Sequence, residues 1–178
     1  MRRSIILVIF FSIYMLNGQE NRGYIVHTGN IAPNFVIKTL DNEIVNLEEQ
    51  LGKVIMIQFT ASWCSVCIKE MPFIEKEIWQ KHKNNDEFLL LALAKDTKRR
   101  PQGGQEIELM INKTGITYPI GTDKNSEIFN LFAEEKAGVT RNIIINQNGE
   151  IAFLTRLFDR TEFNEMKSII EDLLKKKH

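Results

Sequence analysis

The chain of 178 residues lacks an excess of charge of one sign and has few residues that bind metals. Its 23 basic residues balance 23 acidic ones, so we expect no positively charged surface for nucleic acid. The three histidines, His27, His82 and His178, do not show the paired spacing that would complete a zinc site with the two cysteines. No glycine-rich motif for a nucleotide or a flavin occurs, so we expect no bound cofactor and no metal.

A single long apolar run is present, at residues 5–16, directly after Arg2, Arg3 and Ser4. A dozen mostly apolar residues are fewer than the roughly 20 that span a bilayer, and the pattern is typical of a secretory signal. We expect cleavage after Gly18, which makes 1–18 a signal peptide, 19–30 a linker and 31–178 one folded domain. Signal peptides usually have a small residue three positions before the cut, and here Leu16 occupies that position. An uncleaved N-terminal anchor is therefore the alternative.

The only two cysteines, Cys64 and Cys67, follow an apolar, β-branched run at 54–60 that predicts a buried strand. A C-x-x-C motif at the start of the next helix suits reversible thiol–disulfide chemistry, because helix N-terminal N–H groups stabilise a thiolate. We predict that Cys64, in the first turn, is the attacking thiolate and that Cys67 is the resolving thiol. One alternative is a structural disulfide, but a bond that closes so small a loop would constrain the unfolded chain very little. The other alternative is an inert buried pair of cysteines.

Apolar runs and turn signals predict both strands and helices along the rest of the chain. Strands are expected at 31–38, 44–46, 54–60, 88–94 and 116–120, with a closing hairpin at 142–146 and 151–154 around Asn148-Gly149. Helices are expected from the cysteines to about Lys81 with a bend at Pro72, at 106–111 before Gly115, at 126–132, and from Phe163 to Leu174. This mixture indicates an α/β layered domain.

The motifs resemble the TlpA/ResA-like thiol–disulfide oxidoreductases of the thioredoxin superfamily. The resemblance rests on Trp63-Cys64-x-x-Cys67-x-x-Glu70-x-Pro72 and is supported by Ala32-Pro33-Asn34-Phe35, Gly52-Lys53 and 145–151. It implies a thioredoxin-like fold with a central mixed sheet flanked by helices, an N-terminal β-hairpin and an α/β insertion at about 95–124. It also implies an exported enzyme of the bacterial periplasm or cell envelope.

One position departs from the family pattern. The family has a cis-proline immediately before the strand that faces the cysteines, and counting back from Gly149 places Thr140 there. A cis bond between Val139 and Thr140 would cost about 3–4 kcal/mol, so we expect a trans bond with the Thr140 hydroxyl and N–H near the sulfurs. Trp63, Val139 and Thr140 are the candidate substrate-binding residues.

Glu70 follows Cys67 by three residues and Cys64 by six, so it lies on the same helical face. We predict that it accepts the Cys67 proton, and the alternative is a solvated helix carboxylate. Gln58 occupies the strand position where thioredoxins bury an acid and cannot take this role. Trp63 is expected to cover the disulfide or to be a core tryptophan. Arg141, beside Thr140, is expected to be an exposed arginine, and the alternative is that it attracts a thiolate or an acidic partner to the site.

The leading hypothesis is an exported, monomeric reductant of protein disulfides, for which the family suggests apocytochrome c or other envelope proteins as substrates. Its electrons would come from a membrane-embedded thiol carrier, because no nucleotide or flavin motif is present. A thiol peroxidase of the AhpC/TSA type is a second hypothesis, favoured by Ala32-Pro33-Asn34-Phe35 and by Arg141. It is opposed by Ala61 and Ile57, where the related peroxidases have threonine and proline. A third is a non-catalytic binding module in which Thr140 replaces the proline.

Overall fold

The computed structural model describes residues 22–176, so the expected signal peptide and its cleavage site lie outside the described residues. The described part of the expected linker is packed on the domain. Tyr24 and Val26 are buried, and the N–H of Ile25 donates to the carbonyl of Phe132 at 2.9 Å. Two apolar side chains that reach the core explain why this segment is ordered on the domain. No helix within 22–176 combines the length and apolarity that crossing a membrane requires.

A hairpin of two short antiparallel strands precedes the central sheet: β1 (Val36–Lys38) and β2 (Ile44–Asn46). The predicted first strand, 31–38, is longer than β1. Ile31 instead forms a bridge with Glu150 in the closing hairpin, and Pro33 has no N–H with which to extend a ladder. The chain therefore changes partner before β1 begins.

Within the described residues, the central sheet has the order β5-β4-β3-β6-β7. Its strands are β3 (Val54–Thr60), β4 (Phe88–Lys95), β5 (Ile120–Asp123), β6 (Arg141–Ile145) and β7 (Ile151–Arg156). The first three are parallel to one another, whereas β6 is antiparallel to both β3 and β7. This mixed sheet confirms the predicted fold class. Strand β5 starts later than the expected 116–120 because its pairing with β4 begins at Ile120, after Pro119.

The helices of the described chain lie on both sides of this sheet: α1 (Ser65–Ile74), α2 (Gln80–His82), α3 (Gly104–Thr114), α4 (Phe129–Phe132) and α5 (Arg160–Lys175). A π-helical turn, Glu75–Trp79, joins α1 to α2 and begins three residues after Pro72. Helix α3 ends at Gly115 in the left-handed conformation, as predicted. The predicted helix at 126–132 is shorter, since a 3-10 turn at Lys124–Ser126 precedes α4.

The sheet separates two apolar clusters. One, with α1, α3 and α5, contains Met71, Ile107 and Met166, and the other, with α4 and the N-terminal segment, contains Tyr24 and Phe129. Successive side chains of a strand point to opposite faces of its sheet. Polar side chains at the start of β6 are therefore distributed between the two layers, at the end of the sheet where α1 begins.

Candidate active site

The two cysteines form a disulfide at the start of α1, with their Cα atoms 5.3 Å apart. Cys64 is the N-cap of the helix, and its sulfur accepts a hydrogen bond from the Cys67 backbone N–H at 3.2 Å. Cys64 is the more accessible of the two cysteines, because it is 9% exposed whereas Cys67 is 0% exposed. This order agrees with the predicted roles of an accessible attacking sulfur and a covered resolving sulfur.

Thr140 lies immediately before β6 and contacts both sulfurs. Its hydroxyl oxygen is 3.1 Å from Cys64 Sγ and 3.2 Å from Cys67 Sγ. The Val139–Thr140 bond is trans, because no cis peptide bond occurs within the described residues. The predicted trans bond and the placement of the hydroxyl are thus confirmed. Val139 is 5% exposed and belongs to the same apolar cluster as the cysteines.

Glu70 lies one turn beyond Cys67 on α1 and is 2% exposed, so the alternative of a solvated helix carboxylate is wrong. Burial raises the pKa of the Glu70 carboxyl to about 7, although hydrogen bonding to Asn142 and Gln58 acts in the opposite direction. The Asn142 amide donates to Glu70 Oε1 at 2.8 Å. Among residues 22–176, Glu70 Oε2 and Gln58 Nε2 find no hydrogen-bond partner of good geometry, so Gln58 compensates the carboxylate weakly.

Four polar side chains surround this carboxyl and form, together with Glu70, what is called here the Glu70 cluster: Gln58, Tyr118, Asn142 and Thr155. The Tyr118 hydroxyl donates to Gln58 Oε1 at 2.9 Å, and Asn142 also donates to Thr155 Oγ1 at 2.9 Å. The members come from four strands or loops and from α1, and all of them are buried. The cluster holds the carboxyl in an environment that favours its protonated form.

Arg141 was expected to be exposed, and this expectation is wrong, since Arg141 is 0% exposed. Its guanidinium lies over the ring of Tyr24, 4.3 Å from the centroid, on the sheet face opposite Glu70. Arg141 Nε donates to the Gly138 carbonyl at 2.9 Å, and Nη2 donates to the Arg22 carbonyl at 2.7 Å. The packed N-terminal segment supplies the ring and one carbonyl, and burial lowers the pKa of Arg141.

Trp63 is 41% exposed and is therefore not a core tryptophan. The guanidinium of Arg100 lies over its ring, 4.4 Å from the centroid. The backbone N–H of the preceding residue, Ser62, donates to Gln102 Oε1 at 2.7 Å. The loop after β4 thus borders the cysteines. The assignment of Trp63, Val139 and Thr140 to substrate binding stays a prediction.

Sequence reasoning missed Asn142 as a partner of Glu70 and missed the burial of Arg141. Arg141 lies just outside the strand predicted at 142–146, but a signal for Asn142 was present, because this polar residue opens that strand directly before three isoleucines. Polar groups in such a place need partners inside the protein. Among the described residues, no group of three or more His, Cys, Asp or Glu side chains is arranged to hold a metal ion.

Comparisons with known proteins agree with this geometry. The Redoxin family matches residues 27–174. The thiol-disulfide oxidoreductase ResA of Oceanobacillus iheyensis is 28% identical over 159 residues, which cover 84% of this chain and 77% of that protein. A solution structure from Bacteroides thetaiotaomicron, described as a candidate protein disulfide isomerase, is 45% identical with a TM-score of 0.81, covering 86% of this chain and 94% of the other.

A crystal structure from Chlorobium tepidum, described as a candidate thiol:disulfide interchange protein DsbE, has a TM-score of 0.70. It is 20% identical and covers 84% of this chain and 99% of its own, so it supports the fold alone. The extent of the family match and the paired cysteines at the helix start lead to one assignment. The chain belongs to the Redoxin family, as a thioredoxin-like thiol–disulfide oxidoreductase of the TlpA/ResA type.

Proposed function

We propose that the protein is exported and reduces disulfide bonds in other proteins by cycling Cys64 and Cys67 between dithiol and disulfide. The Cys64 thiolate attacks one sulfur of the substrate disulfide and displaces the other as a thiolate, which leaves a mixed disulfide. Cys67 then attacks Cys64 Sγ, releases the second substrate sulfur and closes the bond between the two cysteines. The substrate gains two electrons and the protein loses two.

The observation that carries this mechanism is the buried Glu70 carboxyl, one helical turn beyond Cys67. The Cys67 thiol has to lose its proton before its sulfur can attack, and a general base works best when its pKa lies near the working pH. A carboxyl whose pKa burial raises to about 7 is partly ionised at neutral pH. Glu70 is therefore suited to take the Cys67 proton and to return it later to water.

Export is supported by the arginines that precede the apolar run at 5–16. We place the protein in the bacterial periplasm or cell envelope, with an N-terminal anchor if cleavage after Gly18 does not occur. N-terminal sequencing of the exported protein should begin at Gln19, and a sequence that begins at Met1 contradicts cleavage. We propose a monomer, which sedimentation equilibrium tests directly.

Family resemblance supports the reducing direction and the partners. We propose disulfide-bearing envelope proteins as substrates, with apocytochrome c among them, and a membrane-embedded thiol carrier as the electron donor. The reducing direction requires a reduction potential close to that of thioredoxin, roughly −270 mV, and far below that of a strong oxidant such as DsbA, about −120 mV. Equilibration of the purified protein with glutathione measures this potential, and a value near that of DsbA contradicts the direction.

Trapping with Cys67→Ser tests substrate and attacking sulfur together. The variant should accumulate mixed disulfides between Cys64 and envelope proteins, and Cys64→Ser should accumulate none. In a parallel assay, wild type should reduce insulin disulfides and Cys64→Ser should not. Rapid consumption of hydrogen peroxide without insulin reduction would favour a thiol peroxidase. Partner binding that is unchanged in Cys64→Ser, with no reduction, would favour a binding module.

Glu70→Gln tests the proton transfer. Ionised Glu70 is the active form, so the resolution rate of wild type should rise as the pH increases through about 7. Glu70→Gln should be at least about tenfold slower and should lack this rise. Glu77→Gln, on the π-helical turn that follows α1, is the matched control and should keep the wild-type pH profile. An unchanged profile in Glu70→Gln removes the role.

A further inference from the structure

The Thr140 hydroxyl lies within hydrogen-bonding distance of both reactive sulfurs, 3.1 Å from Cys64 Sγ and 3.2 Å from Cys67 Sγ. The residue is 3% exposed, and its carbonyl accepts a hydrogen bond from the N–H of Leu157 at 3.0 Å. A β-branched side chain in such a place has little χ1 freedom, so the hydroxyl is held between the sulfurs. The proline that the family has here carries no hydroxyl.

The redox state of the two cysteines decides which groups around the Thr140 hydroxyl can donate a hydrogen bond. In the disulfide neither sulfur carries a proton, so the hydroxyl is the donor in whichever contact it completes. In the reduced protein, a Cys64 thiolate accepts one hydrogen bond from the Cys67 N–H, which already lies 3.2 Å from Cys64 Sγ. The Cys67 thiol then has a proton to donate, and the hydroxyl oxygen has lone pairs that can accept it.

We propose that Thr140 is a catalytic residue that separates the acidities of the two thiols in the reduced protein. Its hydroxyl donates to the Cys64 thiolate and accepts from the Cys67 S–H, so one oxygen bridges a charged and a neutral sulfur. Donation to the charged form favours the Cys64 thiolate, whereas acceptance from the thiol favours protonated Cys67. The attacking sulfur is thereby ionised first, and Cys67 keeps its proton until Glu70 takes it.

Charged side chains also lie on the elements around the pair, and any effect of theirs on the titration of the two thiols has to be told apart from that of the hydroxyl. These residues are Glu70 on α1, Arg141 on β6, Lys95 at the end of β4 and Arg100 in the loop that follows it. A carboxylate raises the pKa of both thiols and a cation lowers both, so each of these groups shifts the two sulfurs in the same direction. The Thr140 hydroxyl shifts them in opposite directions. The directions of the two thiol pKa shifts therefore distinguish the hydroxyl from the charged groups in an experiment.

The test compares Thr140→Val, which removes the hydroxyl but keeps the shape of the side chain, with Thr140→Ser, which keeps the hydroxyl. Each reduced protein is alkylated with iodoacetamide across a pH series, and each cysteine is followed separately by mass spectrometry. In Thr140→Val the Cys64 pKa should rise by about one unit, so that about tenfold less thiolate is present below that pKa and alkylation is slower, and the Cys67 pKa should fall. Thr140→Ser should restore both pKa values.

Thr114→Val is the matched control, since it removes another buried hydroxyl, one that donates to the Met110 carbonyl at 2.7 Å. It should shift neither thiol. The proposal is overturned by an unchanged Cys64 titration in Thr140→Val, by a shift of both thiols in one direction, or by a shift that Thr140→Ser does not reverse. Thr140→Ala carries the same test if the valine variant does not fold, as judged by thermal unfolding of the oxidised protein.

The outcome is independent of the reducing direction. A wild-type protein that reduces no protein disulfide refutes the proposed function, yet its two thiols still titrate and still report on Thr140. Conversely, an active wild type whose Thr140→Val variant keeps both pKa values retains the proposed function and loses the role of the hydroxyl.

Discussion

Two buried polar regions lie on opposite faces of the sheet, and each accommodates a buried ionisable side chain in a different way. The Glu70 cluster, next to α1, contains a carboxyl that can lose its charge by binding a proton, and burial raises its pKa to about 7. The opposite region is called here the Arg141 cluster and consists of Arg22, Gly23, Tyr24, Phe129, Gly138 and Arg141. A guanidinium does not deprotonate in proteins, so this cluster supplies ring faces and two carbonyl acceptors instead.

The charge of the Glu70 cluster can therefore change with pH, whereas the charge of the Arg141 cluster is constant. Within the described residues, neither Glu70 nor Arg141 forms a salt bridge with an opposite charge. A buried charge without such a partner is costly unless it is neutralised or surrounded by dipoles. Glu70 can change its charge during a catalytic cycle, whereas Arg141 holds the N-terminal segment on the domain at every working pH.

Replacement of Arg141 should have the largest effect on stability. Arg141→Met removes the two hydrogen bonds that Arg141 donates to the carbonyls of Arg22 and Gly138 and removes the cation from the Tyr24 ring, for a loss of about 4 kcal/mol in the free energy of unfolding. Urea unfolding of the oxidised protein measures it. Arg156→Met, at the exposed residue paired with Arg141 across the sheet, should change stability by less than about 0.5 kcal/mol. Equal free energies of unfolding for the two variants would show that the contacts of Arg141 do not stabilise the fold.

Replacement of Glu70 should change the pH dependence of stability. Burial raises the folded-state pKa of Glu70 to about 7 from its usual 4.5, so its contribution is fully present below pH 4.5 and is lost as the pH rises through 7. Glutamine does not ionise. The free energy of unfolding of wild type relative to Glu70→Gln should therefore fall by about 3 kcal/mol between the two pKa values. Urea titrations of the oxidised proteins across the pH range would show a constant difference if Glu70 did not titrate in the fold.

Gly23 tests how closely the N-terminal segment approaches Arg141. Its φ is +78°, and an added Cβ would lie 2.8 Å from Arg141 Nη2 and 2.9 Å from the Ala137 Cβ. Gly23→Ala should cost about 2 kcal/mol, from the positive φ and from the displaced guanidinium. Gly52→Ala has the same kind of backbone at φ +93°, and among the described residues no heavy atom beyond the glycine and its two chain neighbours would lie within 4 Å of the added Cβ, so it should lose only about 1 kcal/mol. Equal losses would show that the guanidinium moves freely.

The smallest effect is expected at the solvent-side carboxylate of Glu77. Arg160 donates to both of its oxygens at 2.8 Å, and Lys167 also contacts it. Hydrogen bonding to Arg160 and Lys167 lowers the pKa of Glu77 to about 2, so its contribution is present above about pH 4.5 and is lost as the pH falls through 2. Because solvent screens these side chains, Glu77→Gln should cost less than about 1 kcal/mol at neutral pH. A larger loss in urea unfolding would place Glu77 among the essential contacts.

Features carried by neighbouring residues could be predicted from the sequence. The C-x-x-C motif, the Asn148-Gly149 turn and the end of α3 at Gly115 each depend on a few adjacent side chains. Contacts between distant residues could not be predicted in this way. Asn142 reaches Glu70 across 72 positions, and the burial of Arg141 depends on a segment that composition alone assigns to a linker. Such contacts follow from how strands and helices pack, which no local pattern encodes.

Three consecutive residues, Thr140 just before β6 and the first two residues of β6, contact three different parts of the protein. Thr140 contacts the sulfurs, Arg141 the N-terminal segment and Asn142 the Glu70 carboxyl. A shift of β6 by a single position against β3 would move each side chain to the opposite face. An inserted or deleted residue between Asn142 and Gly149 would then turn the arginine toward Glu70 and the asparagine toward Tyr24. Strand alignment, and not only residue identity, is thus a condition for catalysis.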